Sequence, residues 1–218
     1  MDERLVPVFP LRVVLYPGMV LPLKVFEARY LQMLGDRQSG EQDFCAALIR
    51  SGDEVGGTAD PYRVGCLAHI SAVEQTPEGI LSLVTVGQER LRLTALDHSR
   101  PYLMASVERI PEETGDPERL AAQTAQAREL LAAVVGRLQK LRVEEGVELT
   151  LPDDPRRLSY AVAAAMGFPQ RDKQALLEAV SDLVRLELLT VLLRRELQVL
   201  RWYQRRPEPS KEDRYSLN

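Results

Sequence analysis

Two histidines, two cysteines and two adjacent acid pairs are the side chains in this chain whose types and spacing first suggest chemistry. His69 lies inside an apolar, strand-like run, and no G-x-S-x-G turn supplies a serine for it to activate. His98 follows Asp97 at a strand end. Both read as structural histidines. Cys45 and Cys66 also sit in apolar segments, where free cysteine behaves as a small buried hydrophobe. They form no C-x-x-C pair and have only the two histidines as imidazole partners, so no metal site is expected. Asp153-Asp154 precedes Pro155 and reads as a helix start, with Asp154 as N-cap. Glu112-Glu113 falls in a linker-like stretch and needs no more than solvent. No stretch fits G-x-x-x-x-G-K-[ST], and the glycines of 52–57 lack the lysine that would follow them in a phosphate-cradling loop. These residues predict no catalytic group, no cofactor and no metal.

Binding chemistry is better represented. Tyr16 and Met19 flank Pro17-Gly18, a dipeptide suited to the centre of a type II turn. If that turn is exposed, they form an apolar tip for a partner; if it is folded under, they are core. Phe26 and Tyr30 fall near the start of a short helix with Met33 at helical spacing. Glu27 and Arg29, two apart, do not share a helical stripe and are expected to tie the helix to neighbouring strands. Near the C-terminus, Arg194-Arg195, Arg201 and Arg205-Arg206 interleave with Trp202 and Tyr203. Such a cluster can bind single-stranded nucleic acid through phosphates and stacking. It equally suits a helix C-terminus, where cations favour the macrodipole and Trp202 caps a bundle.

The elements that must position these groups change character midway. Residues 5–25 are short apolar segments punctuated by Pro7, Pro10, Pro17 and Pro22, as expected of edge strands or strand ends. A helix is predicted over Glu27–Leu34. Strands follow at Phe44–Ile49, Val64–Val73 and Ile80–Val86, the last after a Pro77-Glu78-Gly79 turn. Leu91, Leu93 and Ala95 alternate with Arg90, Arg92 and Thr94, the period of a half-buried strand, and Tyr102–Val107 adds another. Residues 51–60 read as an exposed loop. Pro111–Pro117 is the predicted linker, after which the period becomes helical. Glu118–Leu141 carries a stripe of Leu120, Ala127, Leu130, Leu131, Val134, Val135 and Leu138. Helices are also predicted at Pro155, over Lys173–Val180 and from Asp182 to about Arg206, the last capped by Ser181 and striped with Leu186, Leu189, Leu193, Leu197 and Leu200. The resulting fold class is α+β. It has a β-rich subdomain over 1–115, a helical subdomain over 116–206 and a polar tail over 207–218.

The chain has 218 residues, 45% hydrophobic and 28% charged, enough for one large or two modest domains. Its net charge of −4 is uneven, with 11 basic against 16 acidic side chains through Gly115 and near balance beyond. That is no general nucleic-acid footprint. No apolar run approaches the ~20 residues that span a bilayer. Asp2 and Glu3 make the N-terminus unlike a signal peptide, so a cytoplasmic location is expected.

The opening block is the most distinctive: Pro7, Phe9, Pro10, Leu11, then Leu15, Pro17, Gly18, Leu21, Pro22, Leu23, then Phe26, Glu27, Arg29 and Tyr30. With Val64–Ile70, Gly87–Leu93 and Lys173–Glu178, it resembles the N-terminal, substrate-binding domain of Lon proteases over nearly the whole chain. The resemblance implies a PUA-like pseudo-barrel followed by a helical bundle. It also implies a non-enzymatic polypeptide-recognition module without ATPase or protease domains. Tyr16, Met19, Phe26 and Tyr30 are the expected polypeptide contacts. Expected partners are unfolded or apolar segments, a separate protease or chaperone, and a second copy paired through the C-terminal helix. RNA binding through the barrel or the basic-aromatic cluster is the alternative.

Overall fold

The computed structural model describes residues 4–36, 43–54, 56, 59–77, 79–141 and 151–205. The tail expected over 207–218 lies outside them, as does Arg206. Seven strands come first: β1 (Arg4–Leu11), β2 (Val20–Val25), β3 (Asp43–Ser51), β4 (Asp60–Pro61), β5 (Val64–Gln75), β6 (Leu81–Asp97) and β7 (Met104–Arg109), with α1 (Ala28–Gly35) between β2 and β3. Four helices follow: α2 (Pro117–Leu141), α3 (Pro155–Ala165), α4 (Gln170–Glu178) and α5 (Asp182–Arg205). The α+β class and the β-then-α order match the reading from sequence.

The sheet runs β1-β7-β6-β5-β3 and closes on itself because β1 also pairs with β3, in parallel. β4 hangs from β3, and β2 from β6. Closure has a consequence for the prolines. β1 is not an edge strand, yet it carries Pro7 and Pro10, which donate no ladder hydrogen bond. It accommodates them by splitting its partners: Arg4–Pro7 pair with β7, and Val8–Leu11 pair with β3. Each half therefore has one side without a strand. Among the described residues β2, with Pro22, pairs only with β6 and is the edge strand the prolines predict.

Small and branched residues from all five closed strands, among them Val6, Val8, Cys45, Ala47, Leu67, Leu91, Leu93, Ala105 and Val107, make one buried cluster, the barrel interior. The alternating residues on the other side, including Phe9, Phe44, Ala68, Ile70 and Leu83, pack with Tyr30 and Met33 of α1. Cys45 and Cys66 belong to these two different clusters and are free thiols. Burial pushes the Cys45 thiol up to about 12 and raises that of Cys66 as well.

One strand differs from expectation. Ile80–Val86 and the arginine-bearing segment after Gly87 form the single 17-residue strand β6, with no turn at Gly87. Gly87 instead lets another part of the chain approach. A Cβ there would lie 2.1 Å from the Tyr16 carbonyl oxygen. The Tyr16–Met19 turn is held against it by Gly18 N–H to the Gly87 carbonyl (2.8 Å) and Gly87 N–H to the Met19 carbonyl (2.9 Å). That turn is the type II turn read from Pro17-Gly18: Gly18 has φ +79°, and the Met19 N–H donates to the Tyr16 carbonyl at 3.0 Å.

In the helical half, Leu186, Leu189, Leu193, Leu197 and Leu200 are all buried, as are Leu120, Ala127, Leu131 and Val134, and α2 packs along α5. The stripe expected to pair with a second copy is thus already covered by the chain's own helix. Asp154 caps α3, accepting from the Arg157 N–H at 2.8 Å, with Pro155 as the first helical residue. Ser181 accepts from the Val184 N–H at the start of α5.

Candidate functional site

The stretch read as a solvated linker is where the two halves lock together. Arg90 of β6 and Arg185 of α5 are both fully buried, and Glu112 lies between them. The Arg90 Nε donates to Glu112 Oε1 at 2.7 Å, and the Arg185 Nη2 reaches Oε2 at 3.3 Å. The Tyr160 hydroxyl donates to the same carboxylate at 2.9 Å. Arg156 adds a bond to the Glu112 carbonyl and a bidentate grip on Asp182, which also pairs with Arg185 at 2.8 Å. Burial works to raise the Glu112 pKa, but the Arg90 and Arg185 charges and the hydrogen bonds from Arg90 and Tyr160 outweigh it and hold it low. Arg90 further donates to the Leu177 and Ala179 carbonyls, tying barrel to helices. Glu112 is therefore a structural ion, not a solvated one. Sequence missed it because a carboxylate's partners, here 22 and 73 residues distant, leave no local pattern.

The other candidate chemistry disperses. His69 Nδ1 faces Asp43 Oδ1 at 2.8 Å in a polar cleft with Arg4, Gln88, Glu89 and Arg109, none of them a nucleophile. His98 is exposed at the end of β6, and Asp153 is exposed beside the capping Asp154. Among the described residues no three His, Cys, Asp or Glu side chains gather as a metal site. Glu27 and Arg29, expected to reach separate strands, pair with each other at 3.0 Å, and Arg29 also donates to the Glu54 carbonyl.

The expected polypeptide contacts sort by exposure. Tyr16 is fully buried; its ring lies 5.8 Å from that of Tyr160 and its hydroxyl donates to the Lys173 carbonyl at 2.8 Å. It belongs to the seam between barrel and helices, and is corrected from contact residue to core. Met19 is partly buried and lines a cleft of about 320 Å³ with Pro17, Pro152, Tyr160 and Ala164. Tyr30 is buried, stacked on Phe9 at 4.0 Å, so its ring acts as a wall rather than a tip. Phe26, grouped with Tyr30 and Met33 by helical spacing, is 61% exposed and precedes the helix at the end of β2. It stands at a groove of about 220 Å³ whose walls include Phe9, Leu11, Leu23, Val25 and Tyr30. Val20 and Val84, on neighbouring strands, are exposed as well. At the far end of α5, Arg201, Trp202 and Tyr203 are exposed, with Trp202 and Tyr203 edge-on at 5.2 Å, so Trp202 does not cap the bundle.

A closed, proline-tolerant barrel sealed to a helical bundle, with an apolar groove beside its edge strand, defines an α+β fold of PUA-like type. Residues 5–195 match the family model of the ATP-dependent protease La (LON) substrate-binding domain, and the chain belongs to that family. It is 29% identical over 202 residues to Lon protease of Escherichia coli (strain K12), covering 91% of this chain and 26% of that protein. It is 30% identical over 208 residues to Lon protease 2 of Sorangium cellulosum, covering 92% of this chain and 26% of that one. The chain thus spans about a quarter of the length of these relatives. Its fold is similar to a Lon N-terminal domain protein from Xanthomonas campestris (TM-score 0.62, 24% identity, 86% of this chain and 98% of that one). It is similar also to the N-terminal domain of Mycobacterium avium complex Lon protease (TM-score 0.66, 23% identity, 88% and 98%).

Proposed function

We propose that this chain is a polypeptide-recognition module that performs no ATPase or protease chemistry of its own, and that it binds apolar segments in the groove beside β2 and α1. The observation that carries this is Phe26, a large aromatic ring left in solvent at the mouth of an apolar groove, in a domain of a substrate-binding family. An exposed aromatic beside apolar walls gains most by covering itself with a partner's side chain. In this reading the chain presents a polypeptide to a separate protease or chaperone. A cytoplasmic setting suits its two buried free thiols.

Burying the exposed part of one phenylalanine ring is worth about 1–2 kcal/mol, so Phe26→Ser should weaken binding about tenfold. The test is anisotropy with a fluorescent unfolded polypeptide and with single-stranded RNA, each at low and moderate salt. Polypeptide binding that persists at moderate salt and falls on Phe26→Ser, with an unchanged melting temperature, supports the proposal. Binding confined to RNA and lost as salt rises would overturn it, and would shift attention to Arg201 and Trp202.

A further inference from the structure

The Tyr30 ring separates two clefts of opposite character. One is the mainly apolar groove beside Phe26, which Lys24, Glu27 and Glu54 also line. The other, about 210 Å³, is lined by Arg29, His98, Arg100, Tyr102 and neighbouring prolines, and among the described residues no carboxylate lines it. The nearby acids are held by the cleft's own lining residues or by their own turn. Glu27 holds Arg29 at 3.0 Å, and Asp97 accepts from the Ser99 N–H and hydroxyl. Asp36 accepts from the Tyr102 hydroxyl at 3.0 Å and makes a longer ion pair of 3.9 Å with Arg100. Arg100 donates to the Tyr102 oxygen at 2.7 Å and keeps its half-exposed guanidinium at the cleft.

Tyr30 is the shared wall. Phe9 stacks on its ring at 4.0 Å, and the Arg29 guanidinium carbon lies 4.4 Å from its centroid. Its hydroxyl is buried with no hydrogen-bond partner among the described residues. The width of one aromatic ring corresponds to about two residues of extended chain. A single short segment can therefore reach both clefts.

Resting on the polypeptide-binding reading above, we infer that the segment this chain takes is bipartite: apolar residues in the groove, and an aspartate or glutamate within a few positions whose carboxylate meets Arg100 and His98. Charge complementarity selects this occupant, because a lysine or arginine at the same place would face guanidinium and imidazole groups with no carboxylate among the described residues that line the cleft.

The test uses the full chain and three acetylated, amidated dodecapeptides with one apolar core, flanked by two glutamates, two glutamines or two lysines. Anisotropy at low salt should rank them glutamate, glutamine, lysine, with about fivefold between successive members. The double variant Arg100→Gln, His98→Gln should bring all three within twofold. Arg100→Glu should invert the ranking. Both positions are exposed, and circular dichroism checks that the variants fold. Equal affinities on the native chain, or a ranking that survives the double variant, overturn this inference alone. If none of the three peptides binds, the polypeptide-binding reading falls with it.

Discussion

Replacing Glu112 with glutamine tests whether the buried ions weld the barrel to the helices. The carboxylate is the acidic partner that Arg90 shares with Arg185. Without its charge, Arg185 keeps Asp182 at 2.8 Å, whereas fully buried Arg90 keeps only the carbonyls of Leu177, Ala179 and Pro111. Breaking a buried pair by removing one partner costs about 3–5 kcal/mol. The glutamine carbonyl still accepts one bond, so the low end, about 3 kcal/mol, is expected. In a domain of this size that lowers the melting temperature by about 6–12 °C.

The pH dependence carries its own sign. The folded pKa of Glu112 is depressed below its ordinary 4.5, so its stabilisation is fully present above the unfolded pKa and is lost as pH falls through the folded one. Native and Glu112→Gln melting curves, followed by far-UV circular dichroism, should differ fully at pH 7 and converge in acid below that value. A difference under about 0.5 kcal/mol at pH 7, the usual range for a surface substitution, would show that Glu112 is merely solvated. A gap that widened toward acid would refute the linkage.

Two further comparisons separate close contacts from exposed positions. Gly87→Ala sets a methyl group against the Tyr16 carbonyl and should abolish soluble folded protein, whereas Gly18→Ala, strained only by its positive φ with open space around it, should cost about 1 kcal/mol in urea titration. Leu193→Asp buries an unpaired charge against α2 and should unfold the helical half, while Val191→Asp, 59% exposed two residues earlier, should leave the melting temperature within about 2 °C. Tolerance of Leu193→Asp would mean that α2 and α5 do not pack as described.

Much of this architecture was legible because local rules and tertiary packing agree. Pro17-Gly18, Asp154-Pro155 and the leucine stripe of α5 each announce one conformation, and the structure adopts it. The failures share a cause. Ile80–Val86 and the arginine-bearing segment read as separate strands, whereas they form one strand whose Gly87 answers to the Tyr16 carbonyl, 71 positions earlier in the chain. Tyr16 and Phe26 are both apolar aromatics near turns, and nothing adjacent to either says that one is sealed by Lys173 and the other left in water. The candidate groove was half visible: Phe26 and Tyr30 were singled out, but Leu11, Leu23 and Glu54 join them only through the pairing of distant segments.

The parallel contact between β1 and β3, with β7 on the other half of β1, also sets a timetable for synthesis. Arg4 finds its partner in Val107, and the adjoining turn is sealed only when Lys173 arrives. A ribosome adding about 5–20 residues per second needs about 5–20 s to make the roughly hundred residues between the two strands. During that interval the first strand has no β7 to pair with. Ring closure is a late event for the nascent chain, and its proline-broken edge makes a poor template for stray pairing while it waits.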